Sequence, residues 1–192
     1  MRGIVKIFLI GFVSAIIIVG CSNVFDAPAP APKDDLDGFR GIKWGTRIKE
    51  LNGMIYNETR DDSNLEHIKY DLYKKKNEKL VLGLVKLDEI NYWFWQGRLG
   101  KVTIEASGGE SVYNFLKDVC FEKFGQGKHK GKTGSDKARP QYTYQWVGKN
   151  IHISLSYYKW GETIIWLNSQ EMITEQYDYL RKKVKEGAEK GF

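Results

Sequence analysis

Apolar positions change their spacing several times along this chain, and each change marks an element. Residues 7–19 form a 13-residue apolar run behind Arg2 and Lys6. Prolines at 28, 30 and 32 alternate with alanine, and the acids Asp34, Asp35 and Asp37 follow. From Thr46, a capping residue, to Gly53, a stop, the pattern predicts a short helix. Extended segments are expected at 67–74 and 79–87. In the second, Leu80, Val81, Leu82, Leu84, Val85 and Leu87 leave few polar positions on either face, as in a strand covered on both sides. Residues 88–96 and 99–106 read as a hairpin near the sheet centre, with Gly97 in the turn where positive φ is needed.

Helical spacing then takes over. Val112, Phe115, Leu116, Val119 and Phe124 mark the apolar face of a helix over 110–124, with Ser107 and Glu110 spaced as a capping box and Gly125 as its stop. Three more strands are expected at 142–147, 150–158 and 163–168. In the middle one Ile151, Ile153, Leu155 and Tyr157 share a core face, and His152, Ser154, Ser156 and Tyr158 share a wet one. Ile173, Tyr177, Leu180 and Val184 predict a final helix over 169–186. Glu171 and Glu175 lie early in it and Arg181, Lys182, Lys183 and Lys185 late, which suits the macrodipole.

Strands before and after one central helix, without β-α alternation, predict an α+β fold: an antiparallel sheet, one central amphipathic helix after a hairpin, and a C-terminal helix. One domain over 38–192 suffices for a chain of this size. Residues 21–37 read as an extended proline-rich linker, reaching on the order of 50 Å at about 3.1 Å per residue. A barrel in the membrane is excluded because regular segments of about 10 residues with an apolar outward face are missing.

The start of the chain has the layout of a secretory signal: two positive charges, an apolar run shorter than the roughly 20 residues of a membrane span, then small residues. Its end, Ile18-Val19-Gly20-Cys21, resembles the lipobox of bacterial lipoproteins, although leucine is commoner than Ile18 at the first position. The resemblance implies that residues 1–20 are removed and that Cys21 is lipidated, with palmitate among the acyl chains, and becomes the N-terminus. Ser22 follows the cysteine where aspartate resembles an inner-membrane retention signal, so the expected location is the outer membrane, facing the periplasm. The segments 38–46, 92–99 and 167–169 resemble a group of uncharacterised bacterial lipoproteins over roughly residues 38–170. That likeness implies fold and location, and no activity.

Chemistry-bearing motifs are sparse. With Cys21 lipidated, Cys120 is the one remaining thiol, and its place on the apolar side of the 110–124 helix reads as a buried structural cysteine rather than a nucleophile. Gly131-Lys132-Thr133 has the tail of a phosphate loop, but Gln126 stands where the first glycine belongs and the stretch follows a helix. His67, His129 and His152 lack zinc spacing, so no metal is expected. His152 beside Ser154 and Ser156 lacks a nucleophile-elbow turn. No catalytic residue, cofactor or nucleic acid is assigned. Glu89, Glu105 and Glu110 could supply a glycosidase pair only where the fold brings two within about 10 Å.

Two features stand out. In Tyr92-Trp93-Phe94-Trp95 the strand alternation sends Trp93 and Trp95 to one face and Tyr92 and Phe94 to the other. Either the helices cover the second face, or two indoles stand open to stack on sugar rings or a partner protein. The second feature is charge: the chain carries 30 basic and 24 acidic side chains, a net of +6 that falls to +4 without Arg2 and Lys6. Residues 125–140 hold Lys128, Lys130, Lys132, Lys137 and Arg139 against Asp136, also +4. This is either a solvated mobile loop or a contact for anionic lipid, anionic glycan or an acidic envelope protein.

The readings converge on a membrane-anchored envelope lipoprotein whose domain binds or scaffolds another envelope component. The alternative is an enzyme acting on cell-wall glycan or peptide. Intact-mass measurement of the membrane-extracted protein should show a chain beginning at Cys21 with lipid attached. A chain still starting at Met1, or an unmodified Cys21, contradicts the lipobox reading.

Overall fold

The computed structural model describes residues 28–62, 65, 67–130 and 140–191. Strands β1 (Gly38–Phe39) and β2 (Ile42–Lys43) form a small antiparallel pair. A single 3-10 turn at Ile48–Glu50 leads to β3 (Met54–Asp61) and β4 (Lys69–Lys75). β5 (Val81–Leu82) and β6 (Val85–Lys86) make a second small hairpin. Then come β7 (Glu89–Trp95), β8 (Arg98–Ser107) and α1 (Gly109–Phe124). β9 (Lys128–Lys130), β10 (Tyr142–Val147), β11 (Ile151–Tyr157), β12 (Glu162–Ser169) and α2 (Gln170–Gly191) complete the described chain.

The main sheet is antiparallel throughout, in the order β3-β4-β7-β8-β12-β11-β10-β9. It is two four-stranded meanders, each followed by a helix, sewn together where β8 pairs with β12. The α+β architecture expected from the apolar pattern is the one observed. Along the seam Ile104 faces Ile165 and Val102 faces Leu167, so the join is made of core side chains.

The helices take opposite faces. α1 packs on the second meander, where Tyr113, Leu116, Cys120 and Phe124 meet Trp146, Ile153, Leu155 and Tyr157. The same face of the first meander is closed by the 36–51 segment and by Leu80, Leu82, Val85 and Leu87 around the β5-β6 hairpin. α2 covers the other face of the first meander, over Tyr70, Leu72, Trp93 and Trp95. Gly100 makes that approach possible: it is the extra residue of a β-bulge in β8, and a Cβ there would lie 2.5 Å from Met172 Cγ.

Several expectations are corrected. The helix expected from Thr46 to Gly53 is only the 3-10 turn, and Gly45 N–H instead donates to the Leu99 carbonyl, pinning this segment to the start of β8. Residues 54–61, not expected as a strand, form edge strand β3. The strand at 79–87 is a tight hairpin, turned at Gly83 with φ +60° and Leu84 pointing out. The capping box does not form: Ser107 ends β8, its N–H donates to Asp88, and Gly108 caps α1 with no side-chain bond. Phe115 is exposed, because stacking Tyr113 on Tyr142 and Tyr157 turns α1 past the expected face. Likewise α2 buries Met172 and Gln176, while Tyr177 and Val184 are exposed.

The proline-rich linker also needs correcting over its described part. Val147 N–H donates to the Pro30 carbonyl, Lys33 N–H to that of Phe124, and the Asp35 carboxylate accepts from the backbone N–H groups of Lys149 and Asn150. Proline removes a donor but leaves its carbonyl free, so an extended Ala-Pro run can dock as an acceptor strap. Residues 30–35 are therefore packed against the domain rather than extended clear of it.

Cys120 is buried on α1, and burial pushes its thiol up to about 12. A thiol reagent should label it only after denaturant is added. Gly100→Ala should cost about 1–3 kcal/mol through overpacking against Met172, measured by denaturant unfolding. The double variant with Met172→Ala should recover part of the loss, whereas no recovery would show that α2 does not seat in this notch.

Candidate functional site

Alternation in β11 decides where the molecule can meet a ligand. Its core residues point to α1, so His152, Ser154, Ser156 and Tyr158 point to the α2 face, and α2 covers only the first meander. Gln145 on β10 and Trp166 and Asn168 on β12 lie beside them by strand pairing. Where this polar area meets the flank of α2 there is a cavity of about 440 Å³. Its walls include Lys101, His152, Ser154, Tyr158, Trp166, Asn168 and Gln176.

On one wall Lys101 is 8 % exposed, and its ammonium sits 3.2 Å from the Asp62 carboxylate. It lies over the rings of Trp93, Tyr70 and Trp166 at 4.2, 5.0 and 5.0 Å. Burial pulls its pKa below the usual lysine value, and Asp62 acts against that. The cation–π contacts and the carboxylate compensate for lost hydration. Gln176 donates from Nε2 to the Tyr70 hydroxyl at 2.6 Å, which anchors the first turns of α2 at this wall. The Arg98–Glu175 ion pair does the same beside it.

His152 lines the cavity and carries an unpartnered ring nitrogen. Its Nε2 is buried and has no hydrogen-bond partner among the described residues, and burial lowers its pKa, so the ring stands neutral. A buried polar atom without a partner costs about 1–3 kcal/mol, and here it belongs to a residue that lines a cavity. Asn168 Nδ2 approaches the His152 carbonyl at 3.5 Å, and Ser156 is tied to Thr143 at 3.2 Å. Nothing links His152 to a serine as a base to a nucleophile.

A second polar cluster lies on the same face outside the cavity. Glu89 and Glu105 are cross-strand partners, and Asn91 Nδ2 donates to both, at 2.7 and 3.5 Å. Trp93 Nε1 donates to Thr103 Oγ1, which in turn donates to Glu105. Burial, with the charges of Glu89 and Glu162 nearby, pushes the Glu105 carboxyl up to about 7. Burial also acts on Glu89, but Lys74 at 2.6 Å and Asn91 outweigh it and hold that carboxyl below the usual range. The fold thus brings together two of the three carboxylates named as a glycosidase pair, while Glu110 sits apart in the first turn of α1. Neither Glu89 nor Glu105 lines the cavity.

Of the binding residues expected from sequence, Trp93 and Trp95 are each only 5 % exposed. Trp95 packs edge-on against Tyr179 of α2, so the face is closed and the open-indole reading is withdrawn. Lys128 and Lys130 lie on edge strand β9 opposite Gln145 and Thr143, which puts them on the face that carries the cavity. Lys132, Arg139 and the phosphate-loop-like tail fall outside the described residues. Among the described residues no cluster of His, Cys, Asp and Glu could hold a metal ion, and no helix is long and apolar enough to cross a membrane. Tyr158 was already placed with His152 on the wet face of the 150–158 strand, whereas Lys101, Trp166, Asn168 and Gln176 were not singled out by sequence. The alternation of β12 could have pointed to Trp166 and Asn168, but Lys101 and Gln176 needed the fold.

No protein-family model matches the chain, and comparison with curated proteins and with solved structures gives no match.

The carboxylate cluster generates a pH prediction. The folded state holds the Glu105 proton up to about 7, whereas an ordinary glutamate loses it near 4.5. Stability should therefore fall as pH rises through that window. Glu105→Gln should flatten this segment of the melting-temperature profile and raise the value at pH 8. An unchanged profile would show that Glu105 is ionised throughout.

Proposed function

We propose that this chain is a lipid-anchored envelope protein, attached through Cys21 to the outer membrane, whose single domain is a non-catalytic binding module for an envelope glycan. The anchoring part rests on the positive start, the 13-residue apolar run and the Gly20-Cys21 junction. The likeness to uncharacterised envelope lipoproteins supports the same location.

The binding part rests on one observation above others: His152 lines a cavity of polar and aromatic walls, and its buried Nε2 has no partner among the described residues. Lys101 and Asp62 neutralise each other on one wall. Ser154, Asn168 and Gln145 offer hydroxyl and amide groups, and Trp166 and Tyr158 offer ring surface. Convergent neutral polar groups beside aromatic faces suit a ligand rich in hydroxyls and amides, such as an N-acetylated sugar. Lys128 and Lys130 on the same face favour a glycan that also carries acidic groups. The enzyme alternative is less favoured because the carboxylates of opposed pKa lie outside the cavity.

The test is titration of the full chain with soluble acidic fragments of cell-wall glycan. His152→Ala should weaken binding about fivefold to tenfold, the worth of one hydrogen bond to a buried partner, and Trp166→Ala should weaken it further. Lys128→Gln with Lys130→Gln should reduce the salt dependence. Absence of binding by the parent at millimolar fragment, or turnover of the fragment, overturns the reading.

A further inference from the structure

The β5-β6 hairpin exposes apolar surface that the core does not use. Its inner side chains, Leu82 and Val85, pack into the domain, and Gly83 takes φ +60° in the first central position of the two-residue turn, as a type II′ turn requires. Leu84, the second turn residue, is 97 % exposed, and Val81 is exposed on the strand before it. The tip rests on α1: a Cβ on Gly83 would lie 3.3 Å from Val119 Cγ2. One turn back on α1 stands Phe115, 58 % exposed. Leu84 and Phe115 thus flank Val119 as one apolar patch, with exposed Lys76, Lys79 and Lys86 on the hairpin side and exposed Asp88 and Asp118 also at its border.

The same Val119 borders a hollow shared with Lys33 and Asp34 of the strap and with Glu122 and Lys123. Because residues 28–37 are strapped to the domain, only residues 21–27 separate Cys21 from it. Seven residues span at most about 25 Å. A domain on so short a leash stays near the surface it is anchored to, with the α1 side near the attachment point.

We infer that the β5-β6 hairpin and the Phe115 face of α1 form a membrane-contact surface, with Leu84 entering the headgroup boundary of an anionic phospholipid bilayer and the surrounding lysines meeting its charge. An apolar tip with a basic surround is the composition that binds the interface plane rather than spanning it. This inference rests on the lipid-anchor reading. It also orients the domain, because the glycan cavity lies on the opposite face of the sheet and so points away from the lipid.

The test uses the full lipidated chain with Leu84→Cys carrying a nitroxide, and a matched label at Val184→Cys, exposed near the far end of α2. Buried Cys120 stays unlabelled in the native protein. On vesicles of phosphatidylethanolamine with a quarter phosphatidylglycerol, the ratio of oxygen to nickel-chelate collisions at position 84 should rise several-fold over its value in detergent-free buffer, as for a side chain at the headgroup boundary. The ratio at position 184 should not move, and phosphatidylcholine vesicles should give a smaller rise at 84. A chain that floats with the vesicles while position 84 stays water-like overturns the contact surface and leaves the anchor standing. A chain that does not float overturns both. Dipolar broadening between labels at position 84 would show a second copy on the patch in place of lipid. Leu84→Ser should leave thermal stability unchanged while abolishing collision protection at a label on Phe115→Cys.

Discussion

An eight-stranded sheet is about 34 Å wide at roughly 4.8 Å between strands, whereas a helix with its side chains covers only about 10–12 Å. Two helices therefore cannot cover both faces, and the rest of this structure follows from that shortage. On one face the gap beside α1 is filled by the 36–51 segment and the β5-β6 hairpin, so the middle strands are covered by apolar side chains on that face. On the other, α2 stands alone over the first meander. The strands beyond its reach turn polar side chains outward, and β11 does so at His152 and Ser154. The cavity lies at the border between covered and uncovered sheet.

That border also explains why a lysine is buried there. Lys101 lies opposite Trp93 at the margin of the α2 footprint, one residue past the Gly100 bulge. An apolar residue at 101 would simply extend the core. A lysine instead brings its own counter-ion, Asp62, and the rings of Trp93, Tyr70 and Trp166 close around it. Desolvating such a pair costs several kcal/mol per ion before their attraction is counted, so the arrangement is poorly explained as stabilisation. It holds a compensated charge at the wall of a polar cavity and leaves the histidine side neutral.

Much of this layout was legible in the sequence wherever one face is core and the other is wet. The alternation of 151–158 and the β-rich runs on either side of Gly97 gave strands whose ends differ from the observed ones by a residue or so. What failed were features that depend on a distant partner. The 79–87 run is apolar at both parities, so periodicity could not separate a buried strand from a hairpin with an exposed tip. Tyr113 is buried by stacking on strands that come some thirty and forty residues later, a contact no local pattern reports. Gln176 faces inward because it meets Tyr70, so a polar residue interrupts the expected apolar stripe of α2. The cavity itself, drawn from β8, β10, β11, β12 and α2, has no sequence signature of its own.

The strap at residues 28–35 links the two surfaces of the molecule. Asp35 accepts from the N–H groups that open the turn between β10 and β11, and Pro30 accepts from the last residue of β10. These bonds hold the second meander, which carries the wet face, to the segment that leads back toward Cys21. The Asp35 bonds are charge-assisted but lie at the exposed surface, so each is worth less than the roughly 1.5–3 kcal/mol of a sheltered one. An extended linker of sixteen or so residues would let the domain tumble and present any face to its surroundings. A strapped one fixes residues 30–35 against the second meander, and among the described residues the broad polar face of the sheet has His152 at its centre.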